Sequence, residues 1–393
     1  MANEVNAATI ANLRQTLFQK RIEAVFMKEL KHQEWAFQRK LVNTNSTRFL
    51  RVEKIAKPTT DVTGSAEGVD PANTGLSTNY LECTLEQYKL KVTLTDIAMH
   101  DIITGDLLKL AADRVAQAMA EGADYRVAKC LAQQSTRIRV GLASTHRVTG
   151  TATSGSTTTL VDSAIAGAYA DDYFNGGSIN IHSGTNKAIS RLITDFVGAT
   201  GTFTVAAFPQ AIDTTSVYTA HSIAGIDGTF KLDTNTILTM VAIAQSRGMK
   251  PINGKFKWIV DAFSHKDIFD DATLQLKSMN TPNSRWENYS LGSWGMSDFV
   301  YTDGPYTENT TGGEDESAGT IIPIPMVGRE AYSIASINAG KGKAAIEAYI
   351  VDTPDSGNVT KSSAYVGSKM RFVPCVVNSE NVMCAIAGFN RYY

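Results

Sequence analysis

The stretch 84–134 reads TLEQYKLKVTLTDIAMHDIITGDLLKLAADRVAQAMAEGADYRVAKCLAQQ, and it decides the fold. Its first part places Leu90, Val92 and Leu94 at period two, which predicts a β-strand. Its second part predicts a helix over 104–134, with Thr104 as N-cap and Asp106 in the first turn. At 1.5 Å per residue, such a helix is about 45 Å long. A helix of this length is typical of a structural spine.

The predicted helix has an apolar and a polar side. The apolar side is formed by Leu107, Leu108, Ala111, Val115, Ala118, Met119 and Gly122. The polar side is formed by Asp113, Gln117, Glu121 and Asp124. Small residues on the apolar side predict close packing against a sheet or another helix.

Two alternating segments, 48–57 and 77–95, precede the helix and predict strands, the second with a break near Gln87. Between them, residues 57–76 (KPTTDVTGSAEGVDPANTGL) are rich in turn formers. Ten residues of strand reach about 33 Å. A two-stranded ribbon is marginally stable alone in water, so we expect it to lie on a neighbouring molecule.

Residues 8–33 predict a helix whose apolar residues do not keep to one stripe. Residues 1–57 contain eleven Lys/Arg against five Asp/Glu, a local balance of +6 in a chain of net charge −2. This basic segment suggests an acidic partner, and a solvated helix face explains it equally well. We expect a docking arm that uses Leu13, Leu17, Phe18, Ile22 and Phe26.

Residues 147–224 differ sharply in composition from the rest of the chain. Ser, Thr, Gly and Ala occupy 42 of the 78 positions, and eight residues are charged. Short alternating runs separated by Gly, Asn and Asp predict a small all-β module. The regular return of Ile, Leu, Val and Phe argues against a low-complexity linker.

From about residue 230 the pattern is mixed α/β. Helices are predicted over 233–247 and 264–271, strands over 255–260, 321–327, 344–351 and 368–386, and a polar loop over 303–319. Pro374 lies inside the last strand, which predicts an edge position or a bulge.

The four cysteines, Cys83, Cys130, Cys375 and Cys384, are scattered among apolar residues. This spacing predicts core thiols in a reducing compartment, without a disulfide framework. No run of eighteen apolar residues occurs, so a membrane-spanning helix is not expected.

Motifs for catalysis are not found. Asp261 and His265 are spaced as two ligands on one helical turn but lack a third, and Asp171 and Asp172 suit a turn better than a calcium site. The string GKGKAA (340–345) lacks the flanking strand and helix of a dinucleotide site. The sequence therefore predicts no enzyme, no cofactor and no metal site.

The order of arm, ribbon, spine helix, β module, α/β segment and closing strands resembles the HK97-type coat proteins of tailed bacteriophages. EGVDP (67–71), the block at 84–131 and SSAYVGSKMRFVPCVVNSENVMCAI (362–386) are similar to the family of the phage N4 gene-56 coat protein. The resemblance implies an α+β, HK97-like capsid fold with an all-β insertion domain. Its expected parts are an N-terminal arm (1–47), an extended E-loop ribbon with the start of the P-domain (48–95), a peripheral P-domain spine helix (96–146), the insertion (147–224), an axial A-domain (225–345) and closing P-domain strands (346–393).

The resemblance further implies a major capsid protein that assembles in the host cytoplasm into hexamers and pentamers of an icosahedral virion. Implied partners are portal protein, a decoration protein, packaged double-stranded DNA bound without sequence preference, and no membrane. No leader of about a hundred residues precedes the arm, so a separate scaffolding protein is expected. Alternatives are an encapsulin-like nanocompartment shell and a tail or adhesin component.

Charged residues crowd the ribbon. We expect intersubunit contacts by Arg48, Arg51, Glu53, Lys54, Lys57, Glu67 and Asp70. The competing interpretation is solvated charges that contribute little. By resemblance, a Lys–Asn isopeptide cross-link through Lys54 or Lys57 is a further hypothesis.

Overall fold

A computed structural model describes the greater part of the chain. The described residues are 31–40, 49–55, 78–95, 107–141, 146–226, 230–271, 293–294, 296–302, 305–309, 320–336, 346–351 and 363–388. Several predicted features lie outside them, namely the helix over residues 8–30, the N-cap Thr104 and the ribbon tip.

The described elements follow one another in this order: β1 Phe37–Lys40, β2 Phe49–Ile55, β3 Thr78–Thr84, β4 Glu86–Thr95, α1 Leu107–Gln134, β5 Thr136–Arg139, β6 Arg147–Thr151, β7 Ser154–Gly155, β8 Thr159–Val161, β9 Ser178–Ser183, β10 Ser190–Val197, β11 Thr202–Val205, β12 Val217–His221, α2 Thr234–Ser246, β13 Phe256–Val260, α3 Ala262–Asp270, β14 Ser293–Trp294, β15 Ser297–Tyr301, β16 Glu308–Asn309, β17 Thr320–Val327, β18 Tyr332–Ser336, β19 Ile346–Val351, β20 Ser363–Val376 and β21 Val382–Gly388. Short 3₁₀ turns occur at Ser163–Ile165 and Ser379–Asn381.

The strands form three sheets and one separate pair. Sheet I has the order β1-β18-β20-β19, and β4 pairs with β20 as well. Sheet II has the order β14-β15-β13-β17-β21-β5, with β16 beside β17, and sheet III has the order β6-β12-β9-β10-β11-β8-β7. The ribbon consists of β2 and β3, which pair with each other. Sheet II thus combines strands from both sides of the 147–224 segment.

Helix α1 packs along sheet I. Its buried side meets Val366, Met370 and Phe372 of β20 in one apolar core. Leu90, Val92 and Leu94 of β4 pack against the same core from alternate positions, as the period-two pattern predicts. The helix contains 28 residues, or about 42 Å, so the predicted spine is confirmed over its described length.

The predicted faces of α1 are partly wrong. Ala118 is exposed, and a Cβ added at Gly122 would meet nothing within 4 Å. Asp124, which we placed on the polar side, is buried. The side chains that face the core are Ala111, Ala112, Val115, Ala116, Met119, Ala120, Ala123, Val127 and Leu131. An alanine-rich helix offers little contrast between its faces, so the packing partner rather than the periodicity selects the buried one.

Helices α2 and α3 are positioned by sheet II and by aspartate caps. The Asp233 carboxylate accepts from the Thr236 N–H (2.8 Å), and the Asp261 carboxylate accepts from the N–H groups of Phe263 and Ser264. The cap explains why α3 begins at residue 262 rather than at 264. Trp258 of β13 is fully buried in the core between these helices and the sheet.

Sheet III has its own apolar core. Phe174, Phe196 and Phe203 are fully buried in mutual aromatic contact, with ring centroids 4.8–5.3 Å apart. The Tyr218 hydroxyl donates to Asp162 at 2.8 Å inside this core. All strands of the sheet come from residues 147–221, where the sequence predicts strands.

The predicted strand over 368–386 is two strands in two sheets. A turn at Ser379–Asn381 separates β20 in sheet I from β21 in sheet II. The register of β20 with β4 ends at Phe372, while Pro374 still pairs with Ile334 of β18. Pro374 therefore lies where one side of β20 has left its ladder, which confirms the predicted edge position.

Candidate assembly surfaces

The ribbon is the most isolated element of the described chain. Seven register pairs join β2 and β3, from Phe49 opposite Thr84 to Ile55 opposite Thr78. The predicted break after β3 is at Leu85, two residues earlier than expected. A two-stranded ribbon of this kind needs an apolar surface or a third strand for stability. The geometry therefore suits an element that is completed by another molecule.

The ribbon root, defined as Leu81, Cys83 and Leu85, is anchored on sheet I. Leu81 is buried with Ala335 and Cys375, and Cys83, Leu85, Val373 and Val377 pack around them. A disulfide joins Cys83 to Cys375, whose Cα atoms are 6.4 Å apart. The expectation of four unpaired core thiols is wrong for this pair. Their separation of 292 residues hides the pairing, because only the fold brings β3 beside the end of β20.

The predicted intersubunit residues are placed only in part. Arg51, Glu53 and Lys54 lie on β2, in register with Glu82, Tyr80 and Asn79 of β3. The remaining members, Arg48, Lys57, Glu67 and Asp70, lie outside the described residues. The same is true of the arm residues Leu13, Leu17, Phe18, Ile22 and Phe26.

The arm root, residues 31–40, belongs to the body of the chain. Residues 32–35 form turns rather than the predicted end of a helix, and β1 pairs in parallel with β18. This part of the 1–47 segment is therefore a strand of sheet I, and docking of the arm on another molecule stays a prediction. The sequence did not reveal the strand, since FQRK is too short for a periodic pattern.

A buried clasp holds the arm root on α1. The main-chain N–H of His32 donates to Asp124 Oδ1 (2.8 Å), and its ring Nδ1 lies 2.6 Å from Oδ2. The Tyr332 hydroxyl donates to the His32 carbonyl oxygen, and burial raises the pKa of this tyrosine. Both His32 and Asp124 are almost inaccessible to solvent. The clasp fixes residue 32 on α1.

A second clasp joins β4 to α1. The Arg126 guanidinium lies 3.9 Å from the centre of the Tyr88 ring, and the Tyr88 hydroxyl donates to Glu86. Burial, and then the hydrogen bond to Glu86, raise the pKa of Tyr88 to about 12. The strand that follows the ribbon root is thus held firmly on the spine helix.

The outer side of α1 is open and partly apolar. Leu110 and Tyr125 are 54% and 45% exposed, and Ala118 and Gly122 lie between them along the helix. Tyr125 makes an edge contact with Tyr306, with ring centroids 5.2 Å apart.

Sheet III is fastened to the body by polar contacts. The Arg137 N–H donates to Ser178 Oγ (2.8 Å), and the Asn180 amide donates to Thr136 Oγ1 (3.2 Å).

The guanidinium of Arg137 is fully buried and pairs with Glu308 of β16. A buried arginine needs such a partner, since an isolated buried charge is costly. Burial, and then the charges of Arg247, Arg147 and His182, lower the pKa of His221 on the same face of sheet III to about 3.

The residues considered for chemistry have local structural roles. Asp261 caps α3, and Asp171 accepts from the Gly198 N–H (2.6 Å). Asp172 adopts a positive φ of 64° in a turn, where its carboxylate accepts from Asn175. Among the described residues, no group of three or more His, Cys, Asp or Glu side chains is arranged to hold a metal ion.

None of the helices in the described part of the chain combines the length and the apolar character that crossing a membrane requires.

Comparisons of the whole architecture with solved structures find phage capsids. A chain of the cyanophage P-SCSP1u capsid is similar over 91% of this chain and 88% of its own, with a TM-score of 0.52 and 9% identity. The acid-stable capsid of Helicobacter pylori bacteriophage KHP30 is similar over 90% and 88%, with a TM-score of 0.51 and 10% identity. The fold is that of a phage capsid protein.

The capsid of cyanophage Pam1 gives the same result, with a TM-score of 0.50 and 10% identity over 93% of this chain and 92% of its own. The mixed α/β content agrees with the HK97-like capsid fold expected from the sequence. No protein-family model and no curated protein matches the sequence. At such low identity, what is shared with these phage capsids is the fold.

Proposed function

We propose that this chain is the major capsid protein of a tailed bacteriophage and assembles with copies of itself into the virion shell. The observation that carries the proposal is a capsid fold combined with a ribbon that has no third strand among the described residues. The surface of a neighbouring copy supplies the support that an isolated ribbon lacks.

The parts of the shell follow from this proposal. The ribbon strands β2 and β3 (49–55 and 78–84) lie over a neighbouring subunit, and the N-terminal arm (1–47) docks beyond its anchored root. The strand β4, which the sequence also assigned to the ribbon, belongs to sheet I. The segment 225–345 meets its copies around the axes of pentamers and hexamers. Interfaces of this kind are heterologous and close into rings. Many weak contacts engaged together make the shell stable.

The segment 147–224 is proposed to be an inserted domain on the outer face of the shell. Its separate sheet and separate apolar core support this assignment. An outer position also keeps a module of this size out of the wall, where subunits pack closely.

The charged ribbon residues are proposed to form intersubunit ion pairs. The crowding of Arg51, Glu53 and Lys54 on β2 supports the proposal. So does the position of β2 in a pair that has no third strand in the described part of the chain. A Lys–Asn cross-link through Lys54 or Lys57 is tested by a denaturing gel of intact particles. A ladder of linked chains would support the cross-link, and single chains would contradict it.

Further proposed partners are a separate scaffolding protein, a portal protein, a decoration protein and packaged double-stranded DNA. We place the chain in the family of the phage N4 coat protein and its assembly in the bacterial cytoplasm. The role is structural rather than catalytic. The comparisons favour a phage capsid over the nanocompartment shell and over the tail or adhesin component.

Negative-stain electron microscopy of the purified full chain, alone and co-produced with its scaffolding protein, tests the proposal. Closed shells of uniform diameter are the expected result. Shells that contain DNA in infected cells support the phage capsid, whereas shells that contain an enzyme would identify a nanocompartment. Chains that remain single under both conditions, or that form fibres, would contradict the proposal.

A further inference from the structure

The Cys83–Cys375 bond lies at the mechanical root of the ribbon. Cys83 is opposite Leu50 in the ribbon register, and Cys375 is opposite Ser333 of β18. One bond therefore connects both ribbon strands, through β3, to a strand of sheet I. Without it, the ribbon root is held by the main chain that continues from β3 into β4 and by the small apolar cluster around Leu81 and Ala335.

The two sulfurs differ in their access to solvent. Cys83 is half-buried, whereas Cys375 is fully buried. A small reagent can therefore reach Cys83 first, with Cys375 positioned behind it as the resolving thiol. Such a pairing of an accessible and a shielded cysteine suits thiol–disulfide exchange.

The other two cysteines are poorly suited to compete. Burial raises the pKa of Cys130 and of Cys384 to about 12, so that both remain protonated thiols. The Cys384 thiol also donates to the Leu131 carbonyl oxygen at 3.8 Å. Both are unpaired in the structure, whereas Cys83 and Cys375 are joined to each other, so a mixed disulfide at Cys83 has Cys375 as its adjacent thiol.

We propose that Cys83 and Cys375 form a redox-operated staple, which is open in a reducing cytoplasm and closes in an oxidising medium to fix the ribbon on sheet I. The oxidant is a small-molecule disulfide such as oxidised glutathione. The Cys83 thiolate attacks one of its sulfurs and releases the first glutathione thiol. The Cys375 thiol then loses its proton as it attacks the Cys83 sulfur of the mixed disulfide, and the second glutathione leaves as a thiol. The protein loses two hydrogens, and one oxidised glutathione becomes two reduced molecules.

The disulfide closes after the ribbon has taken up its final position on the neighbouring subunit. An open root lets the ribbon change its angle while subunits join, and a closed root keeps that angle in the released particle. This sequence of events rests on the proposed function. Closure of the bond itself does not, because it occurs within one chain.

Peptide mapping of the unassembled full chain tests closure. Cys375 and Cys384 share the tryptic peptide 372–391, so a second cleavage after Glu380 is needed to separate them. After treatment with oxidised glutathione, we expect a chain about 2 Da lighter in which the peptides of Cys83 and Cys375 are joined. Chains from cells lysed directly into denaturant with N-ethylmaleimide should carry the label on both residues. A link from Cys83 to another cysteine, or a link already present in the trapped chains, would overturn the proposal.

Hydrogen exchange followed by mass spectrometry tests the mechanical consequence. Reduction should accelerate amide exchange in 78–84 by about tenfold or more, because local opening then breaks only non-covalent contacts. The variant Cys83→Ser cannot form the bond, so its residues 78–84 should exchange rapidly in both reducing and oxidising media. The matched variant Cys130→Ser should keep the dependence on redox state. Equal exchange of the wild-type ribbon in reduced and oxidised chains would overturn the staple, whether or not shells form.

Discussion

Replacing Asp124 by alanine should destabilise the chain strongly, although the sequence alone places this residue on the polar side of the helix. The carboxylate accepts the main-chain N–H of His32 at 2.8 Å and lies 2.6 Å from the His32 ring nitrogen. Alanine removes both contacts and leaves two buried polar groups of His32 without a partner. The helix itself should not suffer, because alanine is the best helix former.

The magnitude follows from the two hydrogen bonds between the Asp124 carboxylate and His32. At about 1.5–3 kcal/mol for each bond to a charged group, they contribute about 3–6 kcal/mol together. We therefore expect a loss of about 3–6 kcal/mol for Asp124→Ala. Asp124→Asn keeps an acceptor for the His32 N–H and should lose about half as much.

Urea unfolding of the unassembled chain measures these losses. The control is Glu121→Ala, one turn away on the exposed side of α1, which should change the unfolding free energy by less than about 0.5 kcal/mol. Hydrogen exchange should also show faster exchange in residues 31–40 of Asp124→Ala. A loss no larger than that of the control would refute the clasp.

Three further predictions concern assembly and pH. The double variant Arg51→Glu/Lys54→Glu should fold but not form shells, whereas Arg51→Lys/Lys54→Arg should form them; normal particles of the first variant by electron microscopy would contradict the ribbon ion pairs. Deletion of residues 1–20 should lower the yield of sedimenting particles more than the yield of folded chain. Unimpaired assembly would refute a role for the arm. His221 has a folded pKa of about 3, below its ordinary 6.5, so the stability that its neutral form contributes is complete above pH 6.5 and falls as the pH is lowered towards 3. Thermal unfolding of wild type and His221→Gln across this window should give a flatter pH dependence in the variant, and equal slopes would sink the assignment.

The predictable part of the fold is local. Period-two alternation gave β4 and the ribbon strands, and helical periodicity with caps gave α1 and α2 within a few residues. Each of these patterns depends on neighbours in sequence, which is why a single sequence contains it. The order of these elements then suggested the capsid fold.

What could not be predicted depends on contacts between distant residues. Asp124 resembles any polar residue of a helix surface until His32 is placed against it. Cys83 fits the apolar alternation of its strand, and nothing near it in sequence points to Cys375. Arg137 and Glu308, likewise, become partners only when β5 and β16 approach within the fold.

The most direct test of the capsid proposal is a cryo-EM reconstruction of the assembled particle that traces the ribbon. We predict a closed icosahedral shell in which residues 49–55 and 78–84 of each subunit lie on the surface of a neighbouring subunit. A ribbon folded back on its own chain, or a particle without closed symmetry, would contradict the account.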